Sequence, residues 1–269
     1  MSFSKKIAIV TGSSQGIGKA IAVLLSQNGA TVILNGRNQE KLNTVEEELK
    51  ANNSDVCSFC GDVSDEKVAE NLILFTLQKF GKIDILVNNV GVSMRGDFAD
   101  LAPNVFKKVF TTNVMGKIFP TKFAIPSLRK TKGSIIFISS LAGIRGLPTL
   151  SAYSASKMAL KSFADSIRTE EVSHKLHVGL IYVAITEIEE NKTTIGENGQ
   201  EVILNTRANK KVQTTKQVAE AVLQNLKTRK NISILSGLGI VNYYMQKFFP
   251  RLVDKIILAN LAKFKSEGK

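Results

Sequence analysis

Ile7-Ala8-Ile9-Val10-Thr11-Gly12-Ser13-Ser14-Gln15-Gly16-Ile17-Gly18 is the stretch that decides the fold. Four apolar residues in a row read as a buried strand, and the glycine-rich run after them reads as a tight turn. Residues 18–28 then read as a helix, with Ile21, Leu24 and Leu25 on one stripe. A strand, a glycine turn and a helix start make an anion site. Glycine lets the backbone come close to a phosphate, and N–H groups at the helix start point at it. The spacing is G-x-x-x-G-x-G, not the G-x-G-x-x-G dinucleotide fingerprint, but the physics is shared. Gly12, Ser14, Gln15, Gly16, Ile17 and Gly18 are therefore candidate cofactor contacts.

Outward from this loop, short apolar runs alternate with helical patterns. Strands are predicted at 31–34, 55–60, 83–87, 134–138, 178–183 and 232–235. Helices are predicted at 39–51, 65–80, 152–171 and 215–227, with one long helical stretch over about 103–130 that contains Pro120 and Pro126. Such alternation implies βαβ units, whose crossovers are right-handed, so the sheet is parallel with helices on both faces. The expected fold class is α/β: a single doubly wound Rossmann-type domain over 1–236, with a C-terminal amphipathic helical extension over 237–269. Residues 186–214 are polar and irregular, long enough for a substrate loop.

The chain has 269 residues, 43% apolar and 22% charged. That excludes a disordered chain, a collagen-like repeat and a disulfide-stapled miniprotein. Two cysteines point to a reducing compartment. Lys5 and Lys6 precede only four apolar residues, too few for a signal peptide, and a cytoplasmic location is expected. The net charge of +13 is spread along the chain, with one denser run at 205–230 that includes Arg207, Lys210 and Lys211. No aromatic residues interleave with that run to stack bases, so nucleic acid is not the expected ligand.

At the end of the second strand stand Asn35-Gly36-Arg37-Asn38, with no acid to meet a ribose 2′-hydroxyl. Arg37 offers a planar fork suited to a 2′-phosphate instead, which predicts NADP(H) over NAD(H).

Tyr153 and Lys157 are four apart on a predicted helix and share a face. An ammonium beside a phenol favours the phenolate, so the pair is a workable general acid/base. Tyr243 and Lys247 repeat the spacing and are expected to be inert. Context separates the two pairs: Ser139-Ser140 end an apolar strand ahead of Tyr153, where ligands gather in open α/β sheets.

With these motifs in order, the chain resembles a short-chain dehydrogenase/reductase. The matches span about residues 5–235: the Thr11-to-Gly18 loop, Asp62-Val63, Asn88-Asn89-Val90-Gly91, Asn113, Ser140 and the Tyr153/Lys157 pair. The resemblance implies that Tyr153 moves the proton at the substrate oxygen and that Lys157 favours its ionisation and holds the nicotinamide ribose. It implies further that Ser140 positions the carbonyl and Asn113 holds a water in a proton relay. Asp62 and Val63 would frame the adenine, and Asn89 and Gly91 the adenosine ribose. A homodimer or homotetramer through the two long helices is implied as well. One departure stands after the sixth strand, where the family has Pro-Gly and then a Thr. Here Val183 and Ala184 replace Pro-Gly, Ile188 falls where the Thr would, and Thr186 is the candidate substitute. That departure keeps a second reading open: an NADP(H)-binding regulatory or scaffold protein with little turnover.

Cys57, Cys60, His174 and His177 contain the residue types of a zinc site but not its spacing, and no metal is expected. In the tail, Val253, Ile256, Ile257, Leu261 and Phe264 recur at helical spacing, and residues 240–269 carry a net +4. Two readings remain: a helix packed on its own domain or a partner subunit, or one lying on a membrane surface. With the long loop, the tail suggests a lipophilic carbonyl or alcohol substrate.

Overall fold

The computed structural model of the chain describes residues 3–52, 54–187, 192–204 and 212–266. Ile188, Arg207, Lys210 and Lys211, singled out in the sequence, lie outside the described residues.

The strands β1 (Ile7–Val10), β2 (Thr31–Gly36), β3 (Val56–Cys60), β4 (Ile85–Asn88), β5 (Ser134–Ser140), β6 (His177–Val183) and β9 (Ile232–Ile234) form one sheet in the order β3-β2-β1-β4-β5-β6-β9. Every pairing in it is parallel. Strands apolar at every position feed two cores, because successive side chains point to opposite faces. Ala8 and Val10 enter one core with Ile136 and Ile138, while Ile7 and Ile9 enter the other with Ile135 and Phe137. The first core is covered by α1 (Gly16–Gln27), α2 (Gln39–Ala51) and α7 (Thr215–Thr228), the second by α3 (Glu66–Phe80), α5 (Gly116–Thr131) and α6 (Ser151–Glu170).

Local chemistry sets the helix ends. Asn38 caps α2 and Asp65 caps α3 through backbone N–H groups of Lys41 and Val68. Gly81, at φ 74°, ends α3 in the left-handed region that glycine enters without strain. Thr214 and Gln217 form a reciprocal capping box on α7.

Three expectations are corrected. The long helix over 103–130 is interrupted: α4 (Pro103–Phe110) runs into a π turn, Thr111–Met115, before α5 begins. There the Asn113 side chain bonds Val92 and Ser156, and Pro120 removes an N–H from the next turn. The segment 186–214 is not wholly irregular, since β7 (Thr193–Ile195) and β8 (Glu201–Ile203) pair antiparallel within it. The tail is three helices rather than one: α8 (Gly237–Phe248), α9 (Pro250–Ala259) and α10 (Leu261–Ser266). Ser236 caps α8, and Pro250 opens α9 where its missing N–H costs nothing. No helix among the described residues is long and apolar enough to cross a membrane.

Candidate active site

The strand order reverses between β1 and β4, and a cleft of about 470 Å³ opens at the carboxyl ends of the strands there. Its two ends are chemically different.

One end is built on β1 and α1. Gly12 and Gly16 adopt φ 63° and 57°, which turn the chain back into α1. Thr11 fastens this loop to β4: its hydroxyl oxygen accepts from the N–H groups of Asn89 (3.0 Å) and Val90 (3.3 Å). The Asn89 amide donates back to the carbonyls of Thr11 (3.1 Å) and Gly12 (2.9 Å). Gln15, at the cap of α1, makes no capping bond and instead accepts from Lys41 Nζ at 2.8 Å. The helix start therefore faces the cleft through Gly16 and Ile17. Ser14, Gln15, Arg37, Asp62, Val63 and Gly91 line it as well. Arg37 stands 3.7 Å from Asp62, both largely exposed, an ion pair of little stabilising value.

At the other end, Ser140, Tyr153 and Lys157 line the cleft. The β5 strand delivers Ser140, whose Oγ accepts from the Ala142 N–H at 3.2 Å. On α6, one helical turn separates Tyr153 from Lys157, and Lys157 Nζ lies 5.5 Å from the Tyr153 ring centre. Lys157 is buried, and its Nζ donates to the Ile138 carbonyl at 3.3 Å. Asn113 does not line the cleft. It is fully buried, with its Oδ1 accepting from Val92 N–H (2.7 Å) and its Nδ2 donating to Val92 O and Ser156 Oγ (3.0 Å each). Ser156 in turn donates to the Tyr153 carbonyl at 2.7 Å. Gly18 also lies off the cleft, beneath the loop, where a β-carbon would stand 2.1 Å from the Gly12 oxygen.

Val183, Ala184 and Thr186 line the cleft after β6. Sequence reading missed what holds them. Gln213 accepts from Ala184 N–H at 3.1 Å, donates from its amide to the Leu235 carbonyl, and donates its own N–H to Ile185 O at 2.9 Å. Glu187 accepts from the N–H and hydroxyl of Thr215. Lys41 was missed too. Gln213 and Thr215 are 29 or so residues downstream, so no local spacing points to them; Lys41, one helical turn past Asn38, was legible as a second cation.

Tyr243, the control for Tyr153, is not a cleft residue. It packs on Tyr182, with ring centres 6.1 Å apart. Cys57 is buried and Cys60 exposed, on opposite faces of β3. Burial pulls the His177 imidazole down to about 4, and its ring nitrogens face Ser134 Oγ and the Lys230 carbonyl.

A parallel sheet with a glycine loop at its reversal point, and a tyrosine and buried lysine across the cleft, defines a nucleotide-binding α/β protein of the Rossmann class. The short chain dehydrogenase family model matches residues 6–198, and the chain belongs to the short-chain dehydrogenase/reductase family. It is 29% identical over 265 residues to dehydrogenase/reductase SDR family member 7B of Bos taurus, covering 96% of this chain and 82% of that one. To 3-ketodihydrosphingosine reductase of Mus musculus it is 35% identical over 195 residues, 69% of this chain and 59% of the other. The crystal structure of a short chain dehydrogenase/reductase from Burkholderia phymatum in complex with NAD has the same fold, at a TM-score of 0.83 and 21% identity, covering 94% of this chain and 96% of that chain.

Proposed function

We propose that the chain is an NADP(H)-dependent oxidoreductase that interconverts a ketone or aldehyde with an alcohol. The observation that carries this reading is the meeting of Ser140, Tyr153 and Lys157 at one end of a cleft whose other end is the glycine loop and Arg37. The residues fit a dinucleotide: a helix start with no side-chain cap and positive-φ glycines for the pyrophosphate, and cations beyond for a further phosphate. A bound nicotinamide would supply or take up the hydride at the substrate carbon.

The protein's own part is proton transfer and orientation. Tyr153 gives its phenolic proton to the carbonyl oxygen in reduction and takes it back in oxidation. The Lys157 ammonium stabilises the phenolate and would hold the ribose hydroxyls. Ser140 Oγ accepts from Ala142, which leaves its own hydrogen to donate to the substrate oxygen. Asn113 spends its side chain on Val92 and Ser156, so its role is to order the floor beneath Tyr153. Asp62 and Val63 would frame the adenine, and Asn89 and Gly91 the adenosine ribose.

NADP(H) is preferred because β2 ends without an acid and Arg37 and Lys41 both line the cleft. The loose Arg37–Asp62 pair leaves the guanidinium available. Wild-type chain is expected to show a lower KM for NADPH than for NADH, and Arg37→Asp to raise the NADPH value at least about tenfold, roughly 1.4 kcal/mol. Equal or better use of NADH by the wild type ends this part of the reading.

A regulatory or scaffold role rests on the missing Pro-Gly after β6. The bonds of Gln213 and Thr215 to 184–187 hold that segment by other means, which supports turnover. A panel of ketones and alcohols with NADPH and NADP separates the two: cofactor binding without turnover across the panel favours the scaffold.

The tail supports a lipophilic substrate and attachment to an anionic lipid surface from the cytoplasmic side. Leu238, Val241, Tyr244, Phe248, Phe249 and Leu252 are exposed along α8 and α9, with Lys247, Arg251 and Lys255 beside them. The one acid among these, Asp254, is paired with Arg145. A second copy would bring like charge to this face, whereas anionic lipid brings the opposite. The relative named for 3-ketodihydrosphingosine, a lipid ketone, supports the same substrate class. Vesicles of phosphatidylcholine with phosphatidylserine are expected to float the full chain, and Phe248→Glu/Phe249→Glu to abolish flotation. Identical flotation of both proteins removes the membrane reading, and a dimer lost in the variant turns the face into a subunit contact. Assembly as a homodimer or homotetramer is proposed instead through the two long helical stretches, about 103–130 (α4 and α5) and 152–171 (α6).

A further inference from the structure

Lys117, in the first turn of α5, is a lysine with no solvent exposure. Its Nζ donates to the Ile138 carbonyl at 2.8 Å, the same oxygen that Lys157 Nζ reaches at 3.3 Å. The two amines therefore stand side by side beneath the catalytic end of the cleft. From α6 Lys117 meets Lys157, and β5 presents only a carbonyl. No other charged group acts on it among the described residues. Lys117 itself does not line the cleft.

We propose that Lys117 is a positioning residue that acts through Lys157: the two amines share the Ile138 oxygen, and Lys117 fixes where the Lys157 nitrogen stands and how firmly it keeps its charge. This rests on the reading of Tyr153 and Lys157 as the proton-transfer pair. Two ammonium groups facing each other without a carboxylate would repel in a dry interior. Burial, and then the charge of Lys157, hold the Lys117 amine well below the usual lysine range. A neutral amine keeps a lone pair. It donates one N–H to Ile138 O and accepts one from the Lys157 ammonium. Lys157 is then held by two acceptors on its protein side, with its remaining hydrogen turned to the cleft. The charge that favours the Tyr153 phenolate is thereby anchored from below.

The test needs no substrate. The chain has four tyrosines and no tryptophan, so tyrosinate absorbance in the ultraviolet is readily resolved. Burial pushes Tyr182 above the ordinary range and out of the way. Full-length wild type, Tyr153→Phe, Lys117→Met and Lys117→Gln are titrated with NADP present. The transition lost in Tyr153→Phe is expected to move upward in Lys117→Met by at least about half a pH unit, about threefold in the ratio of forms. Lys117→Gln restores a donor and an acceptor and is expected to titrate like wild type. A Lys117→Met midpoint equal to wild type, or a Lys117→Gln shift as large as that of Met, overturns the proposal. Loss of no transition in Tyr153→Phe instead overturns the underlying reading of Tyr153. Should Lys117→Met not fold, ¹⁵N resonances of the lysine amines in wild type decide at neutral pH. One neutral amine, absent from Lys117→Gln, supports the proposal; ammonium signals alone overturn it.

Discussion

Tyr153→Phe is expected to lower kcat by about 10²–10⁴-fold, the range that a positioned general acid/base contributes. The substitution removes one oxygen and leaves the ring, which packs beside the Met94, Val105 and Val109 core. Lys157, Ser140 and the glycine loop keep their places, since none of their hydrogen bonds runs through the Tyr153 hydroxyl. The dissociation constant for NADPH is therefore expected to stay within about threefold, less than 1 kcal/mol. Steady-state kinetics on any active ketone from the panel, beside fluorescence titration with NADPH, separates the two quantities. A variant with wild-type turnover would remove Tyr153 from the chemistry, and with it the proposed mechanism.

A comparably large effect is expected at a residue that touches no ligand. Gly18→Ala places a methyl 2.1 Å from the Gly12 carbonyl oxygen and 2.6 Å from the Asn89 amide nitrogen. Neither neighbour is a flexible chain end, because Asn89 is tied to Thr11 and Gly12. The loop must shift away from α1, and the N–H groups that face the cleft shift with it. Overpacking of this kind costs about 1–3 kcal/mol of stability. NADPH affinity is expected to fall by at least about 100-fold, near 3 kcal/mol, because several backbone contacts are displaced together. Gly146→Ala, where an added carbon meets nothing within 4 Å, is the matched control and should bind as wild type. Tight NADPH binding by Gly18→Ala would mean that the loop is not the phosphate cradle.

Much of this is legible in the sequence. The 7–18 stretch declared a strand, a turn and a helix start because apolar runs and glycines act locally. The doubly wound sheet followed, since strands buried on both faces need helices between them. Gly12, Arg37, Ser140, Tyr153 and Lys157 stand out because their chemistry is written in short spacings, and all five line one cleft.

What the chain order alone did not reveal has a common cause: it depends on residues far apart in sequence. The π turn at Thr111–Met115 has no periodic signature, and it arises where the Asn113 amide finds Val92 and Ser156. Gln213 closes over 184–185 from nearly thirty residues downstream. Gly18 and Asn113, read as contacts of the site, support it from beneath because packing against Gly12 and Val92 consumes them. Lys117 carries no motif of its own in the sequence, and only the fold buries it beside Lys157. Sequence determined which local elements and which reactive groups exist. Tertiary packing decided which of those groups meet solvent, ligand or one another, because burial and hydrogen-bond partners are properties of contacts across the sheet.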